Sequence, residues 1–288
     1  MHAEHAIGRF RKPSTRVPGD GSRYPAQLHS HMKHTSAFFL GLLTLAAHSA
    51  ASEPSQLERW DRAVCIQSPV ASKPGTGKAC SAFFVSAEKR IFLVTAGHAS
   101  AETNQNSRLV YRDGAGKSQW VSLKVLFPDP SNPWHRDQTS DFAIAEVNPN
   151  EDGQAYLSQL MELSVPLNSI GTNTQPRTTA IVTAGFPLAI GATEPVSAIA
   201  VVGHIASGEI ESDNDWGHEP IVYCTPALAQ GTSGGPAFLH DQSDDALTVV
   251  GMYVGIVHDA SGAKLSKMVP SRLIRAAIEE SVNTDDGG

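Results

Sequence analysis

From residue 60 onward the chain is cut into short apolar stretches, rich in Val, Ile, Thr and Phe, by clusters of Gly, Pro, Asn, Asp and Ser. Stretches of this kind, each closed off by turn-forming residues, read as β-strands. The strands expected are 63–68, 79–86, 91–95, 109–112, 120–126 and 142–147, then 180–185, 197–210, 221–225, 235–239, 247–256 and 264–269. Between the two sets, residues 148–176 collect Pro, Asn, Gly and Gln without alternation and read as a link. Residues 271–280 differ, because apolar positions 273, 274, 277 and 278 follow Pro270 and Ser271, the period and start signal of an amphipathic helix. The expected fold is all-β: two six-stranded antiparallel β-barrels with a short C-terminal helix.

A chain of 288 residues with 41% hydrophobic content can bury one large core or two modest ones. Its beginning does not read as part of that core. Residues 1–31 are rich in His, Arg, Pro and Gly, and read as a disordered leader or as the product of a mis-assigned start. From Met32 a basic start, the apolar run Ala37-Phe-Phe-Leu-Gly-Leu-Leu-Thr-Leu-Ala-Ala47 and a small-residue exit make residues 32–52 a signal peptide, too short in its apolar part for a membrane span. Export to the periplasm or the medium follows, with no membrane association after cleavage. The first barrel is then expected over 53–165, the second with the helix over 166–282, and a tail over 283–288.

The formal net charge is −7, and removing the leader and signal, which carry more basic than acidic residues, makes the remainder more acidic still. Nucleic acid and anionic membranes are poor partners for such a surface. The three cysteines, Cys65, Cys80 and Cys224, do not make a disulfide scaffold. Cys65 and Cys80 flank an expected hairpin and are candidates to pair in an oxidising compartment. The histidines His2, His5, His29, His31 and His34 have no metal-site spacing, and no metal is expected. Glu209, Glu211, Asp213, Asp215 and Glu219 form an acidic run read as a solvated loop, too irregular for a calcium site.

Chemistry concentrates in Ala229-Gln-Gly-Thr-Ser-Gly-Gly-Pro-Ala-Phe238. Acyl transfer by a serine needs a base within reach, an acid that orients the base, and amide donors facing the developing oxyanion. The glycines beside Ser233 remove side chains, so that the N–H groups of Gly231 and Ser233 can point to one spot next to Oγ. A base is offered where the apolar stretch ending in Thr95-Ala-Gly-His98 delivers His98 at a strand exit. An acid is offered by Asp141, at the mouth of the strand that continues Phe142-Ala-Ile-Ala-Glu146, where a buried carboxylate needs a partner such as an imidazole.

Thr95-Ala-Gly-His98, Asp141-Phe-Ala-Ile144 and Gly231-Thr-Ser-Gly-Gly-Pro236 resemble, in order, the three signature blocks of the chymotrypsin-like serine endopeptidases. Ala79-Cys-Ser-Ala-Phe-Phe-Val85, Ala184-Gly-Phe-Pro187 and Val249-Val-Gly-Met-Tyr-Val-Gly255 are similar to further blocks of the bacterial branch. The resemblance implies Ser233 as nucleophile, His98 as general acid and base, Asp141 as orienting acid, and the Gly231 and Ser233 amides as oxyanion donors, with no cofactor. It implies a protein or peptide substrate lying as an extra strand beside Val254, Gly255 and Ile256.

Departures from the animal-type pattern carry information. Thr232 stands where those enzymes place the Asp that pairs with a freed N-terminus, so activation by that ion pair is not expected. Ala227 stands at the pocket floor, followed by Leu228, so a small or apolar side chain rather than Arg or Lys is the expected occupant, with His204, His218 or His258 as other candidates for the lining. Val254 replaces a serine that usually touches the acid, so Asp141 needs a different partner. An α/β-hydrolase elbow, with Asp241, Asp244 or Asp245 and His258 after the serine, would need more strands and helices than the remaining residues can form. The competing reading keeps the same barrels as a catalytically inactive binding or adhesion module; that all three of His98, Asp141 and Ser233 are present favours the enzyme.

Overall fold

The computed structural model describes residues 8–11, 57–70, 76–127, 129, 132–214, 217–243 and 246–285. The expected signal peptide, 32–52, lies outside them. In the first half, strands β2 (Ala63–Pro69), β3 (Thr76–Ala87), β4 (Arg90–Ala96), β5 (Arg108–Arg112), β6 (Ser118–Ser122) and β8 (Phe142–Glu146) correspond to the six expected. They join in the order β6-β5-β2-β3-β4-β8, extended past β8 by the two-residue β7 (His135–Arg136). The second half closes completely: β10 (Ala180–Gly185), β11 (Ile199–Asn214), β12 (Gly217–Thr225), β15 (Lys264–Pro270), β14 (Val249–His258) and β13 (Pro236–Leu239) form a barrel in that order. Closure leaves no unpaired edge at the barrel seam.

The apolar runs explain the packing. Cys80–Val85 is buried without a break, and Phe83, Phe84, Phe92 and Leu93 are at most 1% exposed. A fully buried side chain of that size contributes roughly 1.5–3 kcal/mol. Residues of both halves, among them Phe83, Phe142, Phe186, Phe238 and Val254, belong to one contiguous core.

The structure differs from expectation at four places. The stretch expected as one strand over 120–126 stops at Ser122 and turns into the helical segment α2 (Leu123–Leu126), whose Leu123 and Leu126 both reach the core. The link contains helix α3 (Leu157–Leu163), with Leu160 and Leu163 fully buried, and the two-residue strand β9 (Val165–Pro166), parallel to β3. The C-terminal helix runs on from its expected end to cover Ser271–Asp285; Ile274 and Ile278 face the core, with Val282 packed against it one turn later. Within the stretch read as a disordered leader, Gly8–Arg11 form β1, which pairs with β3 from Gly8↔Ala79 to Arg11↔Thr76. That part of β3 lies beyond the end of its pairing with β4, which begins at Ala82, and an open strand edge accepts another strand.

Candidate active site

Strand register brings the first two residues together. β4 and β8 run antiparallel with Ala96 opposite Phe142, so the residues just outside the ladder, Gly97-His98 and Asp141, are neighbours. The short helix α1 (Gly97–Ser100) starts there, and the Gly97 amide donates to the Asp141 carbonyl at 3.1 Å. Asp141 grips His98 twice: Oδ2 lies 2.6 Å from Nδ1, and Oδ1 accepts from the backbone N–H at 2.8 Å. Both residues are buried, His98 at 7% and Asp141 at 6% exposure. A carboxylate acceptor places the donor proton on Nδ1 and orients the ring.

Ser233 sits in the turn between β12 and β13, fully buried, its Oγ donating weakly to the Val254 carbonyl at 3.5 Å. The turn is tied to both halves of the molecule. The Ser81 amide donates to the Ser233 carbonyl at 2.8 Å, and the Gly234 amide to the Tyr253 carbonyl at 2.8 Å. Gly231 and Gly234 have φ of +96° and +90°, a region open to glycine and costly to other residues.

Two backbone carbonyls around Gly231 are held from outside the turn. The Gln230 carbonyl accepts from the Leu188 amide at 2.5 Å. The Gly231 carbonyl accepts from Ser81 Oγ at 2.8 Å, and Ser81 Oγ itself accepts from the Phe186 amide at 2.9 Å. In a trans peptide the N–H points opposite the C=O, so the Gly231 N–H is directed away from Leu188.

The strand after Ser233 offers an edge. β14 pairs with β13 only as far as Met252, whereas on its other side it pairs with β15 through Gly255, Ile256, Val257 and His258. Gly255 and Ile256 therefore have one unpaired side among the described strands, and Val254 sits at the register shift between Tyr253 and Gly255. A Cβ on Gly255 would meet nothing within 4 Å. Ala227 and Leu228 are half-buried nearby, with the Leu228 amide donating to Ser266 Oγ at 3.2 Å and Tyr253 Oη donating to the Leu228 carbonyl at 3.0 Å. A recess of about 240 Å³ opens beside the imidazole, lined by Gly97, His98, Ala101, Arg136, Gln138 and Asp141 among others.

Residues 80–252 match the family model of the trypsin-like peptidase domain, well over half of the chain. The chain belongs to the trypsin-like peptidase family. It is thereby a hydrolase of the serine endopeptidase class. Among curated proteins none matches it. Solved structures similar to this trypsin-like peptidase include the MamO protease domain from Magnetospirillum magneticum, 10% identical over 75% of this chain and 95% of that one, with a TM-score of 0.49. The active form of the Rv3671c protease from M. tuberculosis is 17% identical over 77% and 78%, at 0.46. The HtrA-type protease AlgW with a tripeptide is 16% identical over 77% of this chain and 60% of its own, at 0.48.

Two readings of the peptidase's sequence are corrected by its structure. Cys65 and Cys80 are both free thiols, because the β2–β3 register sets Cys65 opposite Ser81 and Ile66 opposite Cys80, which puts the two sulfurs on opposite faces of the sheet. Burial pushes the Cys65 thiol well up and those of Cys80 and Cys224 up to about 12, so all three remain protonated at neutral pH. Where the structure describes it, the acidic run is strand rather than loop; Asp215 lies outside the described residues. Glu209, Glu211 and Asp213 lie in β11, with Glu209 paired to Arg272, and Glu219 is 1% exposed in β12. Its Oε1 accepts from Lys267 Nζ at 2.5 Å and its Oε2 from the Asp141 amide at 3.3 Å. No group of three metal-ligating side chains occurs among the described residues. Ser81 and Glu219 are the contributions that sequence reasoning missed. Ser81 stands inside the block Ala79-Cys-Ser-Ala-Phe-Phe-Val85, yet nothing local marks its hydroxyl as a bridge to a loop more than a hundred residues away.

Proposed function

We propose that this trypsin-like peptidase hydrolyses peptide bonds through an acyl-enzyme on Ser233. The observation that carries the reading is the double attachment of His98 to Asp141, 2.6 Å at Nδ1 and 2.8 Å at the backbone amide. With Nδ1 engaged, proton exchange with Ser233 runs through Nε2. Ser233 Oγ attacks the scissile carbonyl as its proton passes to Nε2, forming the tetrahedral intermediate; collapse expels the amine, which takes that proton, and leaves the acyl ester. Water, deprotonated by the same nitrogen, then releases the acid product. Asp141 holds the tautomer and stabilises the imidazolium. The Gly231 and Ser233 amides bind the oxyanion, and the orientation of the Gln230–Gly231 peptide supports this role.

The substrate is a protein or peptide lying along the edge of Val254, Gly255 and Ile256 through main-chain hydrogen bonds. Ala227 and Leu228 put no charge at the pocket, which suits a small or apolar side chain. Thr232 leaves no partner for a freed N-terminus, so signal removal completes maturation of an exported enzyme. Among the described residues no helix is long and apolar enough to cross a membrane. Incubation with a fluorophosphonate and peptide mapping tests the reading: a single covalent adduct on Ser233 is expected, and a folded protein that never labels and leaves peptide libraries uncut would favour the inactive binding module.

Ser81 adds a second measurable consequence. Ser81→Ala leaves the buried Gly231 carbonyl and Phe186 amide each without the hydroxyl they share. Each such loss costs about 1–3 kcal/mol. Steady-state kinetics on a peptide substrate should give a kcat lowered roughly ten- to a hundredfold with KM within about twofold, the pattern of lost oxyanion stabilisation. A raised KM with unchanged kcat would place Ser81 in ground-state binding instead.

A further inference from the structure

Glu219 and Lys267 form an ion pair that the chemistry of the proposed triad does not use. They are 1% and 7% exposed, and they belong to neighbouring strands of the closed barrel, where Tyr223 of β12 stands opposite Lys267 of β15. Lys267 in turn stands opposite Gly255 on β14, the strand beside Ser233. The Glu219 carboxylate does not end at the lysine: its second oxygen accepts the Asp141 amide at 3.3 Å, and Asp141 immediately precedes β8 in the other half of the molecule. Burying two full charges is costly, and an apolar pair of similar volume often serves stability as well or better. The contact with Asp141 is what an apolar pair could not supply.

We infer that Glu219 and Lys267 are positioning residues for the triad: Glu219 anchors the Asp141 backbone from the opposite barrel, and Lys267 balances the charge that this anchor brings close to His98. The inference rests on the proposed Ser233 chemistry. The other charged groups around the imidazole are already engaged. Asp141 binds the ring itself, Arg136 donates to Ser100 Oγ at 3.0 Å, Asp137 accepts the Thr139 and Ser140 amides at 2.8 and 2.7 Å, and Glu102 at the end of α1 pairs with Lys78. Removing one member of the Glu219–Lys267 pair therefore exposes His98 to the uncompensated charge of the other.

The test is the pH dependence of the second-order rate at which a fluorophosphonate labels Ser233, a reaction that needs His98 in its neutral form. Glu219→Gln keeps an acceptor for the Asp141 amide but leaves the lysine charge unbalanced, which disfavours the imidazolium; the acidic limb of the profile should move to lower pH by about 0.5 unit. Lys267→Met leaves the carboxylate unbalanced and should move the limb the opposite way by a similar amount. The apolar double variant Glu219→Leu/Lys267→Met is not exposed to an unpaired buried charge and keeps the question open should a single variant fail to fold. Its labelling rate on the alkaline plateau should fall about tenfold or more, since the Asp141 amide has lost its partner. A wild-type chain that never labels overturns the catalytic reading and this inference with it. A wild-type chain that labels, with single variants that shift together or not at all, or with a folded double variant at the wild-type rate, overturns this inference alone.

Discussion

Ser233→Ala is expected to lower peptide hydrolysis by about four to six orders of magnitude, leaving only what binding and the oxyanion amides provide. The fold should survive, because the substitution removes a single oxygen whose contact with the Val254 carbonyl is long, at 3.5 Å, and the methyl side chain that remains is smaller than the original. Thermal unfolding should show a change within about 1 kcal/mol. His98→Ala should reduce the rate to a comparable level, and the double variant should be no slower than either single one, since nucleophile and base act as a unit. Near-additive losses would mean that His98 does not serve Ser233, and would sink the triad while leaving the family assignment untouched.

Gly234→Ala should be strongly destabilising. A Cβ there would lie 1.9 Å from the Ser81 carbonyl oxygen and 2.4 Å from Thr95 Oγ1, at a φ of +90° that a side chain rarely adopts. The obstacle is backbone, not the end of a flexible side chain, and that carbonyl also accepts from Thr95 Oγ1 at 2.8 Å. Backbone strain of about 1–3 kcal/mol adds to an overpacking cost of similar size. Denaturant unfolding should reveal a loss of roughly 3 kcal/mol or more, and the folded fraction should label poorly because the Ser233 turn has been displaced from β3. Gly255→Ala supplies the control: its Cβ meets nothing within 4 Å, and stability should change by less than about 0.5 kcal/mol. Equal damage from both substitutions would contradict the packing described.

All six strands of the second half were legible where they are apolar runs bounded by turn residues, but the polar, acidic end of β11 (to Asn214) and the polar start of β12 (from Gly217) read as loop. Ambiguity arose where an apolar run was too short for its period to show. Leu123-Lys-Val-Leu126 reads equally well as the end of a strand or as one helical turn, and only the position of the core decided that Leu123 and Leu126 should face it together. The helix at Leu157–Leu163 was hidden in the same way behind a Pro- and Asn-rich setting. The Cys65–Cys80 pairing failed for a reason of register: nearness across a hairpin says nothing about which face of the sheet a side chain takes.

Sequence alone pointed to the residues proposed to carry the chemistry. The strand exit before His98, the strand entry after Asp141 and the glycines beside Ser233 are local patterns, set by backbone propensity and visible within a few residues. It also determined the all-β class, since hydrophobic periodicity is a short-range property. Only the tertiary structure decided what supports those residues. The Ala96↔Phe142 register joins His98 to Asp141, Ser81 bridges Gly231 and Phe186, and Glu219 with Lys267 reaches the Asp141 amide from the other barrel. In a run of exposed-looking acids, Glu219 carried no mark of burial, because burial is a property of what packs against a residue and its partners here lie 48 and 78 positions away.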